Sequence, residues 1–119
     1  MSIADSLQEV VAEREVTFTR SDGSSEVVTV RIGKPVQGES PDEWKCAYQL
    51  AGFGRVQSGH MMGVDSVQSL LLTLQTILPE LDHVAKREGA AFSWLEIPDA
   101  GFPDYRLSPS YEKGEPRGA

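Results

Sequence analysis

Two histidines, one cysteine and a scatter of carboxylates are the side chains of this 119-residue sequence with chemistry to offer. His60 precedes Asp65, where the spacing of apolar residues predicts the start of a helix. A histidine beside a helix N-terminus is favoured in its neutral form, which suits a general base. Tyr48, His60 and Asp65 are therefore the residues that would line a ligand pocket between a sheet and that helix start. No nucleophile lies near His60 in sequence, and a histidine satisfied by a backbone or Asp65 hydrogen bond is the plainer expectation. His83 falls on the polar face of the predicted helix, where solvation is expected. Cys46 sits on an apolar strand face and is expected to act as a small core hydrophobe. A reactive thiol would need partial exposure and a positive neighbour.

The other patterns that carry chemistry stop short of a site. Two histidines and one cysteine at positions 46, 60 and 83 lack the short spacing of structural zinc, and no EF-hand spacing occurs. Gly52-Phe53-Gly54 has neither the third glycine nor the following helix of a phosphate loop. Ser110 and Lys113 match Ser-x-x-Lys in letters, but in a proline-flanked segment rather than at a helix start. Asp42 and Glu43 belong to a hydrated loop, without the burial that raises a carboxyl pKa. The sequence thus leans away from an enzyme and calls for no cofactor or metal.

Those residues need a scaffold, and the chain is long enough for one core. Lys and Arg number 11 against 18 Asp and Glu, a net charge of −7 with pI near 4.7. Nucleic acid and anionic membrane surfaces both demand clustered cations, so neither is expected as a partner. No apolar run approaches the roughly 18 residues of a membrane span. The first residues lack the basic and apolar segments of a secretory signal, and a lone cysteine fits a reducing compartment. A cytoplasmic location is the resulting expectation.

The periodicity predicts an α+β fold: an antiparallel meander sheet of four to five strands packed on one long helix in the C-terminal half. Ile3, Leu7, Val10 and Val11 have the spacing of a short N-terminal helix. Residues 13–32 alternate around Asp22-Gly23 as a β-hairpin, and 33–43 form a loop. Trp44 to Leu50 and Arg55 to Met62 form a second hairpin, with Val56, Ser58, His60 and Met62 expected inward. Asp65 and Gln68 then supply helix-start chemistry, and Gly89 the stop. Between them Val67, Leu70, Leu71, Leu74, Ile77, Leu78, Leu81, Val84 and Ala85 fill an arc of roughly 140°. Phe92 to Ile97 has the composition of a short fifth strand or of an extended segment packing back on the core. One domain over 1–98 and a Pro/Gly-rich tail over 99–119 complete the expectation.

Trp44-x-Cys46-x-Tyr48, Gly52, and Gly63-x-Asp65-x-x-Gln68-x-Leu70 with its leucine-rich helix form a recognisable pattern. It resembles a family of small bacterial proteins of unknown function over roughly residues 12–90. The resemblance implies a strand–strand–helix core and assigns no activity.

Four strands about 4.8 Å apart make a sheet about 19 Å wide, which one helix about 10 Å across only half covers. Leu72 lies in the otherwise polar arc of the helix, beside Thr76, Pro79 and His83. A homodimer is the expectation from these two observations. The leading reading is a non-enzymatic interaction module, in one version an immunity-type protein whose acidic loop Glu39, Asp42 and Glu43 meets a basic partner. The alternative is a small-molecule binder or enzyme using the Tyr48–His60–Asp65 pocket.

Overall fold

Runs of β-branched residues at period two build an antiparallel sheet, and the computed structural model describes it across Leu7 and residues 9–104. Strands β1 (Val10–Arg20) and β2 (Ser25–Gly33) pair as a hairpin. Its turn is held by Asp22 Oδ1, which accepts from the Ser24 amide at 2.8 Å and from Ser24 Oγ at 2.6 Å. Strands β4 (Trp44–Gly52) and β5 (Arg55–Gly63) form the second hairpin, and β2 pairs with β4. Between the hairpins, β3 (Val36–Gln37) pairs with Trp44 and Lys45, so the expected loop carries a two-residue strand. Helix α1 (Ser66–Glu88) then returns the chain across the sheet to β6 (Ala90–Ser93), which pairs with β1. The order across the sheet is β5-β4-β2-β1-β6, with β3 alongside β4. This is the α+β meander with one helix that the periodicity predicts.

Alternation sends Val16 and Phe18, Val28, Val30 and Ile32, and Cys46, Tyr48 and Leu50 to one face of the sheet, where they form a single core with the helix. Ile77, Leu81 and Val84 close over them. Each such side chain contributes about 1.5–3 kcal/mol through its removal from water. Asp65 caps α1 by accepting the Gln68 amide at 2.8 Å, while Gln68 Oε1 accepts the Val64 amide. Gly89 ends it in the left-handed conformation at φ 62°. The helix runs unbroken through Pro79.

Four details depart from the sequence expectation. Val10 and Val11 belong to β1 rather than to a helix; residues 1–6 and 8 lie outside the described ones. The last strand begins at once after Gly89, and Trp94 pairs with Ile97 in a separate small turn. The phase of β5 is the reverse of the expected one. Met61, Gly59 and Gln57 stand opposite Cys46, Tyr48 and Leu50, so they share the helix face, and Val56, Ser58, His60 and Met62 point to the other side. Finally, the helix is rotated about its axis. Ser69 and Thr73 are fully buried, whereas Val67 and Leu71 are 61% and 51% exposed.

The rotation has a steric cause. A Cβ at Gly63 would lie 2.5 Å from the Ser69 amide nitrogen, so only glycine lets the first helical turn settle onto β5. Small Ser69 and Thr73 fill the contact, and Thr73 Oγ1 lies 3.2 Å from the Cys46 carbonyl and 2.9 Å from that of Ser69. Sinking toward β5 rolls the Val67–Leu71 flank outward.

Candidate functional site

Helix α1 lies over β4 and β5, which leaves β1 and the far part of β2 to another cover. The chain supplies it from residues 100–103. Ala100 is fully buried and Phe102 packs against the core, so the packed chain runs past residue 98. Arg14 holds this cover down. It occupies an inward position of β1, two residues before Val16, where its guanidinium lies 3.8 Å from the Trp94 ring centroid and 5.0 Å from that of Phe102. Its Nη1 donates to the Ala100 carbonyl at 3.1 Å. Gly101 passes between these groups at φ 74°, and a Cβ there would lie 2.6 Å from the Trp94 ring and 2.8 Å from Arg14 Nη1.

Beside this latch a cleft of about 250 Å³ opens between sheet and helix. Ala12, Val30 and Ile32 form its floor, Leu74 its helix wall and Phe102 and Pro103 its roof, with Arg14 at one end. Val67, Leu71 and Leu74 recur at i, i+4 and i+7, so the cleft continues along one helix flank as an exposed apolar row. A second hollow lies across Arg14, between β1 and the Trp94–Leu95 turn. Leu95 and Glu96 there adopt positive φ of 52° and 65°, a conformation that costs most side chains about 1–2 kcal/mol.

The residues nominated from sequence are not brought together. Tyr48 is buried on the helix face with its ring over Gly59. His60 lies opposite Ala47 on the other face of the sheet, exposed, because β5 has the reversed phase. Asp65 is spent as the helix cap. Neither of the two described hollows is lined by any of these three. Cys46 is buried, its thiol donates to the Gly33 carbonyl at 3.4 Å, and burial pushes its pKa up. Glu39, Asp42 and Glu43 are exposed, and Glu43 Oε2 accepts the Glu39 amide at 3.1 Å within the loop. Leu72 is half-buried. Among the described residues, no group of three or more His, Cys, Asp and Glu is placed to hold a metal ion, and no helix is long and apolar enough to cross a membrane.

The Arg14 site has a signal in the sequence. Position 14 shares the alternation phase of Val16 and Phe18, and a charged residue in an inward phase demands a partner. What the sequence hides is that the partners are Trp94 and, from beyond Pro98, Ala100 and Phe102. No curated protein and no solved structure matches the chain significantly. Residues 12–104, a stretch that takes in the cleft and the latch segment, match a family model, and the chain belongs to that family: the Domain of unknown function (DUF6968) family.

Proposed function

We propose that this chain is a bacterial, cytoplasmic protein-interaction module without catalytic chemistry of its own, which receives an apolar segment of another protein along the helix-flank groove. One observation carries the reading: Val67 and Leu71 are more than half exposed in the same row as Leu74, which lines the cleft. Apolar side chains contiguous with a hollow are the usual mark of a docking surface. The separation of Tyr48, His60 and Asp65 supports the non-enzymatic side of the reading. Charge bears on the partner. With a net charge of −7 and the exposed loop Glu39, Asp42 and Glu43, a basic partner of the kind met by immunity-type proteins is favoured and its encounter accelerated.

The test is affinity capture of the tagged full-length chain from cells that express it, with Val67→Glu/Leu71→Glu and Val27→Glu as paired variants. The reading expects one stoichiometric partner that is lost with the first variant and kept with the second, since Val27 is exposed elsewhere on the sheet. Bait recovered alone, or a partner indifferent to the groove variant, contradicts it. Charge reversal at Glu39, Asp42 and Glu43 is expected to slow association and leave dissociation nearly unchanged.

A second reading has its own observation, the guanidinium at the end of the cleft. A small apolar carboxylate would suit Arg14 and the Val30–Ile32 floor, although about 250 Å³ is below the usual range of ligand pockets. A rise in melting temperature with such an acid, abolished by filling the cleft through Ala12→Leu, would favour it over the first reading.

A further inference from the structure

The two edges of the sheet are treated differently. One edge is β6, four residues long and followed by the Trp94–Ile97 turn and Pro98. The other is β5, nine residues long, which among the described residues pairs with β4 alone. Natural proteins guard such edges with proline, lysine, bulges or shortness. Between Arg55 at its start and Gly63 at its end, β5 has no proline, lysine, arginine or carboxylate, and its register with β4 runs unbroken from Trp44↔Gly63 to Gly52↔Arg55.

From these features we infer that β5 is the dimerisation strand of this protein, pairing antiparallel with β5 of a second copy about a two-fold axis at Gly59. The strand is self-complementary about that point. Pairing along its full length sets Val56 against Met62 of the other copy and Ser58 against His60, all on the face away from the helix. Val56 is 62% and Met62 45% exposed in the single chain, and the pairing joins them twice, once on each side of the axis. Any register in which the two numbers sum to an odd value would place the helix face of one copy against the outer face of the other.

The helix supports the same axis. Gln57 on β5 donates to Glu80 Oε2 and accepts from Arg87 Nη1, so the Glu80–Arg87 side of α1 looks toward β5. At 100° per residue, Leu72, Thr76 and His83 lie 40–80° further round, past the open edge. Together with Pro79 they give three helical turns without a fixed charge. A helix seated between β4 and β5 lies about 5 Å from the axis, which sets two of them about 10 Å apart, the normal helix-packing distance. A partner that covers both a bare strand and an uncharged helix flank by one two-fold rotation is a second copy of this chain. The docking groove lies on the opposite helix flank and stays open in the dimer.

Sedimentation equilibrium of the full-length chain from about 5 to about 500 µM tests the inference, a span suited to an interface of modest area. The expected mass rises from 13.0 kDa toward twice that value. Val56→Lys/Met62→Lys and, separately, Leu72→Glu are expected to raise the dissociation constant at least tenfold, while Val27→Lys leaves it unchanged. Because these side chains are exposed or half-buried, circular dichroism should show all variants folded. A monomer at every concentration, or a dimer insensitive to the β5 substitutions, overturns the inference. As a positional check, Ser58→Cys/His60→Cys should form an intermolecular disulfide on mild oxidation; a product cross-linked no faster than Val27→Cys contradicts the register.

Discussion

Replacing Arg14 with alanine removes the latch that keeps residues 100–103 over the sheet. The loss can be assembled from the geometry. A guanidinium 3.8 Å from one ring centroid and 5.0 Å from another, partly withdrawn from water, contributes about 1–2 kcal/mol through the ring quadrupoles. The charged donor to the Ala100 carbonyl, which is left without it, adds about 1.5 kcal/mol. The two share one side chain and do not sum fully, so Arg14→Ala should cost about 2–3 kcal/mol. Unfolding entropy near 2.1 cal/mol/K per residue comes to roughly 0.25 kcal/mol/K for this chain, and the melting temperature should fall by about 8–12 °C. Arg14→Lys keeps the charge but not the stacking plane and should lie about midway. Urea unfolding followed by circular dichroism reads the difference directly. If Arg14→Ala stays within about 0.5 kcal/mol of the parent, the latch contributes nothing and the account of how the cleft is roofed is wrong.

Other substitutions probe the remaining supports. Gly63→Ala should destabilise by about 1–3 kcal/mol, because the new methyl meets helix backbone rather than a movable side chain; an unchanged urea midpoint would refute the steric account of the helix rotation. Leu95→Asn with Glu96→Gly should stabilise by roughly 1–2 kcal/mol, since both positions have positive φ and the Trp94–Ile97 backbone pairing is retained. Glu88 is held below its ordinary 4.5, chiefly by the hydrogen bond from Arg87 and further by Arg20. A lowered folded-state pKa gives stability that is present above the ordinary value and is lost as pH falls through the folded one. Glu88→Gln should therefore flatten the decline in stability below pH 4.5, measured by urea titration at stepped pH. Cys46, buried with a raised pKa, should react with a thiol reagent only as fast as the protein opens; rapid labelling of the folded protein at pH about 8 would show otherwise.

How far the fold could be read depended on whether a signal was local. The period-two runs around Asp22-Gly23, the Asp65–Gln68 helix start and the Gly89 stop each depend on neighbours within a few residues, and all stand where their spacing puts them. The phase of β5 was not local. Val56 and Met62 are its bulky outer residues while Gly59 and Gly63 face the helix, so hydrophobicity pointed to the wrong side. The space over β5 is already filled by Tyr48 and the first turn of α1, and only the pairing register with β4 makes that visible. The same crowding explains why Ser69 and Thr73 are buried while Val67 and Leu71 are not. His60 left the nominated pocket for this reason alone. The Arg14–Trp94–Phe102 latch joins residues about 80 positions apart, and its only local trace was a charge in an inward phase.

The proposed docking of another protein on the Val67–Leu71–Leu74 flank is open to a direct test. A photo-reactive amino acid placed at Leu71 in the full-length chain, activated in cells that express it, tests the claim at that surface. The expected result is a single heterologous cross-link of defined mass that is absent when the same residue is placed at Val27 on the sheet. No cross-link from Leu71 above the level from Val27, or cross-links only to a second copy of the chain, would contradict it.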